Sequence, residues 1–179
     1  ISSELRQSYE DDKGSRQQWE EAYTKGLDLL GLNYNERSQP FQGASGVTHP
    51  LLAESVTQFQ AQAYKELLPA SGPVRAQVIG LATKEKEDQA QRVSDYMNYQ
   101  IMHVMEEYDP ELDQMLFYLP LAGSTFKKVY YDSNLGRAVS KFVPSEDLVV
   151  PYSATNLEEC ERVTHVLKRT DNDVKKMKV

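Results

Sequence analysis

The sequence predicts a mixed α+β fold, in which several long amphipathic helices accompany a small antiparallel sheet or hairpin. Apolar residues recur at helical spacing over much of residues 15–119. Residues 126–143 alternate in polarity on both sides of the turn-forming cluster DSNLG, which is typical of a β-hairpin. Helices that precede a short run of strands along the chain are typical of the α+β class.

The composition is that of an ordinary globular protein, with 179 residues of which 40% are hydrophobic and 26% charged. The formal net charge of -7 argues against a basic patch that grips nucleic acid, because each phosphate contact needs a Lys or Arg. No apolar run approaches the roughly 18 residues of a membrane span, and no signal-peptide core opens the chain. We therefore expect no membrane association and a cytosolic origin. The single cysteine, Cys160, is consistent with a cytosolic origin, because one thiol cannot form an internal disulfide.

The N-terminal part of the chain predicts helix followed by loop. Residues 1–13 predict a frayed helix or an arm. The next apolar positions have helical spacing and end at Gly31, and we expect Trp19 and Tyr23 to anchor the packing of that helix. Residues 32–46 hold one proline and two glycines, break all periodicity and predict a loop.

Two further helices, 50–68 and 85–107, each carry one apolar stripe. The stripes consist of Leu52, Val56, Phe59, Ala63 and Leu67 and of Ala90, Val93, Met97, Ile101 and Val104. We expect the two helices to pack on each other through these stripes. Between them, the alternation in residues 73–83 predicts a half-buried strand.

The stretch YLPLAGSTFKKVYYD raises the question of a phosphate-binding loop. Asp109-Pro110 predicts the start of a helix that Pro120 kinks or ends, and Gly123 permits the turn into a strand. A phosphate loop needs the spacing G-x-x-x-x-G-K-[ST] between a strand and a helix. Here the order is helix, glycine, strand, so the stretch predicts a structural corner. Farther along, residues 162–169 alternate like a strand, and the chain then begins another helix.

The residues that could carry chemistry are scattered. His49, His103 and His165 lie more than fifty residues apart without metal-ligand spacing, and no G-x-S-x-G motif occurs. Cys160 lies in a charged stretch and is not expected to be a nucleophile. The acidic pairs Glu106-Glu107 and Glu158-Glu159 predict solvated surface. We therefore predict no catalytic, cofactor-binding or metal site.

Four segments, in order, resemble a known family. They are QPFQGASGVTHPLLAESVTQFQAQAYKELLP (39–69), PVRAQVIG (73–80), MLFYLPLAGSTFKKVYYD (115–132) and VPSEDLVVP (143–151). Together they resemble the portal, or head-to-tail connector, protein of tailed bacteriophages of the short-tailed type. The resemblance covers roughly residues 15–179, and each segment alone is a weak signal.

The resemblance implies a structural and non-catalytic role in the virion. Portal subunits form a ring, typically dodecameric, at one capsid vertex, where DNA is packaged and later ejected. The implied partners are other copies of the subunit, the terminase large subunit that drives packaging, capsid and scaffold proteins, and tail adaptors. Double-stranded DNA would pass through the ring without sequence-specific binding. The net negative charge of the chain is consistent with this, because a conduit must not bind DNA tightly. Assembly takes place in the host cytoplasm.

The resemblance also implies a division of the chain. Residues 1–46 correspond to an N-terminal helical arm and loop, and residues 47–179 to a wing-like α+β region. We expect the stem and clip of the family to lie beyond Val179, so that this chain is part of a longer protein. No DNA-contacting residue can be carried over to these positions. Two alternatives remain: a phage-encoded enzyme with a scattered active site, and an adaptor or scaffold that forms no ring.

Overall fold

The computed structural model describes residues 2–31, 41–44 and 49–176, and it confirms the mixed α+β class. Helices dominate these residues, and strands form two separate antiparallel pairs. The elements are α1 (Ser2–Ser15), α2 (Gln17–Leu30), α3 (Leu51–Leu67), α4 (Lys84–Tyr99), a π-helical turn (Gln100–Val104), α5 (Tyr108–Ala122), β1 (Phe126–Asp132), β2 (Arg137–Val143), β3 (Leu148–Val149), β4 (Thr164–His165) and α6 (Asp171–Lys176). None of the described helices is both long and apolar enough to cross a membrane.

The predicted N-terminal arm is a regular helix, separated from α2 by a break at Arg16 (φ -102, ψ 13). The second helix ends as predicted, where the Gly31 N–H donates to the Leu27 carbonyl oxygen at 2.8 Å. Of the predicted loop 32–46, only residues 41–44 are described, and they form a turn in which Gly43 has a φ of 90°. The other loop positions lie outside the described residues.

The apolar core is built where α3 packs on α5. Leu68, Leu112 and Leu116 form its buried cluster, and Ala63, Tyr64, Tyr108 and Met115 pack against it. The predicted pairing of α3 with α4 is therefore wrong. Phe59 remains 41% exposed and Met97 45% exposed, because the apolar stripe of α4 finds no facing helix among the described residues.

The strand predicted over residues 73–83 does not form, because no neighbouring strand pairs with it in the described chain. Side chains of α4 satisfy the backbone of Val74 in its place. The Val74 N–H donates to Asn98 Oδ1 at 2.9 Å, and its carbonyl accepts from Ser94 Oγ (2.9 Å) and Asn98 Nδ2 (3.0 Å). Asn98 lies so close to Gly72 (φ 90°) that a Cβ there would be 2.4 Å from the side-chain amide. Gly72 is therefore required by both conformation and space.

The long helix predicted over 85–107 is interrupted by the π-helical turn, and α5 begins at Tyr108 rather than after Asp109. Pro120 does not end α5 but lies in its last turn, where its missing N–H costs only one late hydrogen bond. The helix ends two residues later, at Ala122, and Gly123 is its C-cap. This glycine adopts a left-handed conformation (φ 78°), and its N–H donates to the Leu119 carbonyl oxygen at 2.9 Å. The predicted corner is confirmed.

The hairpin forms at the predicted residues, with Phe126 opposite Val143 and Asp132 opposite Arg137. It packs on α5, where the Phe142 ring stacks on Tyr118 with centroids 5.8 Å apart. The predicted strand 162–169 is shorter than expected, because only two of its residues pair, with β3.

The N-terminal helices are tied to the β3 region by Arg16, whose residue is only 7% exposed. Its guanidinium donates to the carbonyl oxygens of Ser145 (2.9 Å), Glu146 (2.8 Å) and Leu148 (2.9 Å). A second tie joins α1 to the segment before β4, where Arg162 donates to both carboxylate oxygens of Asp12 at 3.0 Å.

We predict that Arg16→Lys destabilises the chain by about 2–4 kcal/mol, because an ammonium cannot reproduce the planar fork and leaves buried carbonyls unpaired. The free energy of unfolding is measured by urea titration followed by circular dichroism. Arg92→Lys on the exposed surface of α4 is the matched control and should change stability by less than about 0.5 kcal/mol. Equal stability of the two variants would show that the carbonyls do not depend on Arg16.

Candidate functional site

The three histidines do not converge in the structure. His49 is exposed just before α3, His103 lies in the π-helical turn with its ring 5.6 Å from that of Tyr99, and His165 lies in β4. The described ranges contain no group of three or more His, Cys, Asp or Glu side chains placed to hold a metal ion. Cys160 is half-buried, and its Sγ donates to the Arg162 carbonyl oxygen at 2.8 Å.

The aromatic residues of α2 serve packing, as predicted. The rings of Trp19 and Tyr23 stack with centroids 5.2 Å apart and planes at 6°. Trp19 Nε1 donates to the carbonyl oxygen of Ala122 at 2.9 Å, at the point where α5 ends. Burial, reinforced by the nearby charge of Glu146 and by Tyr118, raises the pKa of Tyr23 to about 12.

The two lysines that follow the corner have different environments. The Nζ of Lys127 lies 3.6 Å from the centroid of the Tyr108 ring, and burial lowers the pKa of this lysine although Glu111 opposes the shift. Lys128 is exposed on the hairpin. The backbone N–H of Gly123 is bonded within its own helix end, so it is not free to bind a phosphate.

The prediction of solvated surface is wrong for Glu107. Its carboxylate accepts two hydrogen bonds from Arg137 Nη1, at 2.9 and 2.7 Å, and one from the Ser140 N–H at 3.2 Å. Glu111 accepts from the Phe142 N–H at 2.7 Å. These two N–H groups lie on the edge of β2 that does not face β1, so the carboxylates occupy the place of a third strand. Glu159 by contrast is exposed and accepts from Asn156.

The environment of Glu107 shifts its titration. Burial raises its pKa, but hydrogen bonds from the backbone, from Arg137 and from Ser140 outweigh that effect, and the pKa lies below the ordinary 4.5. The carboxylate is a structural group that closes the hairpin onto the helix, because all its contacts are within the fold.

A surface with no cover among the described residues lies on α4 and the segment before it. We call it the α4 surface; it consists of Ile79, Leu81, Val93, Tyr96 and Met97. Ile79 is 94% exposed, Leu81 81%, Val93 46% and Tyr96 64%. Val93, Tyr96 and Met97 lie on one face of α4, and exposed apolar side chains that share a face mark an interaction surface in soluble proteins. Periodicity alone could not identify it, because a stripe that faces a partner molecule has the same spacing as one that faces the core.

Comparison with models of known protein families found no match, and no curated protein sequence matches the chain. The interpretation of function therefore depends on the sequence resemblance and on the surfaces described above.

We predict that Glu107→Gln destabilises the chain by about 2 kcal/mol at pH 7, because it removes charge-assisted hydrogen bonds to Arg137 and the β2 edge. The folded-state pKa is depressed, so the stabilisation by Glu107 is present above pH 4.5 and is lost as the pH falls through that lower pKa. The difference in stability between the wild type and Glu107→Gln should therefore become smaller as the pH falls from 7 to 3.

Urea unfolding at pH 7 and pH 3 measures this difference. Glu106→Gln is the control, because the neighbouring carboxylate is exposed and should show little effect at either pH. A destabilisation by Glu107→Gln that stays the same at pH 3 would contradict the role of the charge.

Proposed function

We propose that this chain belongs to a structural bacteriophage portal protein, whose copies form a ring at one capsid vertex and link the head to the tail. The observation that carries the proposal is the α4 surface, which offers apolar area that nothing in the described chain covers. The ordered resemblance of four sequence segments supports the same conclusion. In this role the chain is a rigid wedge, and self-association supplies the missing cover.

The geometry of a ring explains why a subunit exposes such a surface. Cyclic assembly with more than two subunits uses heterologous contacts, in which one face of a subunit meets a different face of its neighbour. The α4 surface is one of these two faces.

A portal subunit has a defined location and a defined set of partners. The ring, dodecameric in the full-length protein, lies in the virion after assembly in the host cytoplasm, and DNA passes through it during packaging and ejection. Its partners are the terminase large subunit, capsid and scaffold proteins, and tail adaptors. The subunit needs no catalytic residue of its own, because the terminase supplies the ATP-driven motor.

We predict that the full-length protein forms one large species with ring-shaped particles, measured by mass photometry and negative-stain electron microscopy. Met97→Glu should shift that species toward monomers, because a charge would be buried at the subunit contact. Its circular dichroism spectrum should still match that of the wild type, since Met97 is already 45% exposed and its replacement leaves the subunit folded.

Gln62→Glu is the matched control, because it introduces the same side chain at an exposed position of α3, outside the α4 surface. The ring should survive it. A wild-type monomer or dimer would overturn the ring and favour the adaptor alternative, and steady turnover of a nucleotide by the purified protein would favour the enzyme. Survival of the ring in both variants would show that the α4 surface is not the contact.

A further inference from the structure

A second surface, opposite in character to the α4 surface, lies between the hairpin and the segment that follows β4. It is an open groove of about 660 Å³. Cationic side chains from three separate parts of the chain line it: Lys128 from β1, Lys141 from β2, and Lys168 and Arg169 from beyond β4. We call this the basic groove. Two carboxylates, Asp132 and Asp147, also line it. With His165 neutral, the lining therefore has a formal charge of +2, although the net charge of the whole chain is -7.

The two strand lysines are placed in an unfavourable arrangement for the isolated chain. Lys128 and Lys141 are direct cross-strand partners, and both are exposed. Like charges at directly opposite positions of an antiparallel pair destabilise the sheet. A bound anion would relieve this repulsion, since it would contact both ammonium groups at once.

The fold leaves these cations available. None of the four forms an ion pair within residues 2–31, 41–44 and 49–176; Lys128 only approaches the Tyr130 ring, at 5.5 Å. The carboxylate of Asp132 is engaged in the hairpin turn, where it accepts from the Asn134 N–H at 2.9 Å. Its negative charge is included in the formal charge of +2, which leaves two of the four cations without a lining carboxylate.

We propose that the basic groove binds the phosphodiester backbone of a nucleic acid without regard to base sequence. The cations are spread along an open groove rather than gathered around a closed pocket, which suits a chain of repeated phosphates better than one small anion. Exposed Tyr130, on the same face of β1 as Lys128, also lines the groove and provides a ring on which an unpaired base can stack. The site does not require ring formation, so it stands apart from the portal proposal.

The test is fluorescence anisotropy of the 179-residue chain with a labelled 30-base-pair duplex and with one of its single strands, from 20 to 200 mM NaCl. Binding should weaken with salt, with a slope of about -3 to -4 in log K against log [NaCl] for four contacts on the duplex. Comparison of the two dissociation constants shows whether the groove prefers double-stranded or single-stranded DNA.

Lys128→Glu/Lys141→Glu should raise the Kd by at least about tenfold and reduce the salt slope by about 2, because two phosphate contacts are removed. Lys168→Glu/Arg169→Glu should do the same from the other side of the groove, and neither changes a buried residue. Lys25→Glu/Lys65→Glu is the control, because these exposed lysines of α2 and α3 lie outside the groove and their reversal gives the same net charge. Circular dichroism melting shows whether each variant is folded.

The proposal is overturned if the wild type binds neither DNA at 20 mM NaCl. It is also overturned if the control loses as much affinity as the groove variants, which would indicate only the effect of net charge. Displacement of the DNA by polyglutamate at equal charge concentration would show that the groove accepts acidic peptides rather than phosphodiesters.

Discussion

The guanidinium of Arg16 bonded to three main-chain carbonyls is the interaction on which the arrangement of this chain most depends. It joins the break between α1 and α2 to the segment that leads into β3, more than a hundred residues later. A buried arginine is tolerated there because carbonyl dipoles and Glu20, 2.9 Å from its Nε, satisfy its donors. This side-chain contact connects the N-terminal helices to β3 in a fold whose two strand pairs do not form one continuous sheet.

At Val74 and at the outer edge of β2, side chains also satisfy backbone groups that lack a strand partner. Asn98 and Ser94 serve the backbone of Val74, and Glu107 and Glu111 serve the outer edge of β2. Side-chain groups thus take the place of ladder hydrogen bonds that a larger sheet would provide. Because these carboxylates occupy the outer edge of β2, that edge is not open to pairing with a strand of another molecule.

The two proposals assign different work to different faces. The α4 surface is apolar and suits a permanent contact between subunits, whereas the basic groove is open and charged and suits a reversible, salt-sensitive contact. Both are consistent with a subunit that performs no chemistry of its own and contributes shape and charge to a larger assembly.

The sequence by itself determined the fold class, the hairpin, the Gly123 corner and the helix end at Gly31, because these depend on local periodicity and on residues with special backbone conformations. Only the tertiary structure decided which apolar stripes were buried, because a stripe does not specify its partner. In the folded chain the predicted strand at Val74 is instead a segment that is hydrogen-bonded to side chains of α4. The fold also places Lys128, Lys141 and Lys168 around one groove, although the net charge of the chain is negative. Net charge averages over the whole chain, whereas a binding surface depends on which few side chains the fold makes neighbours.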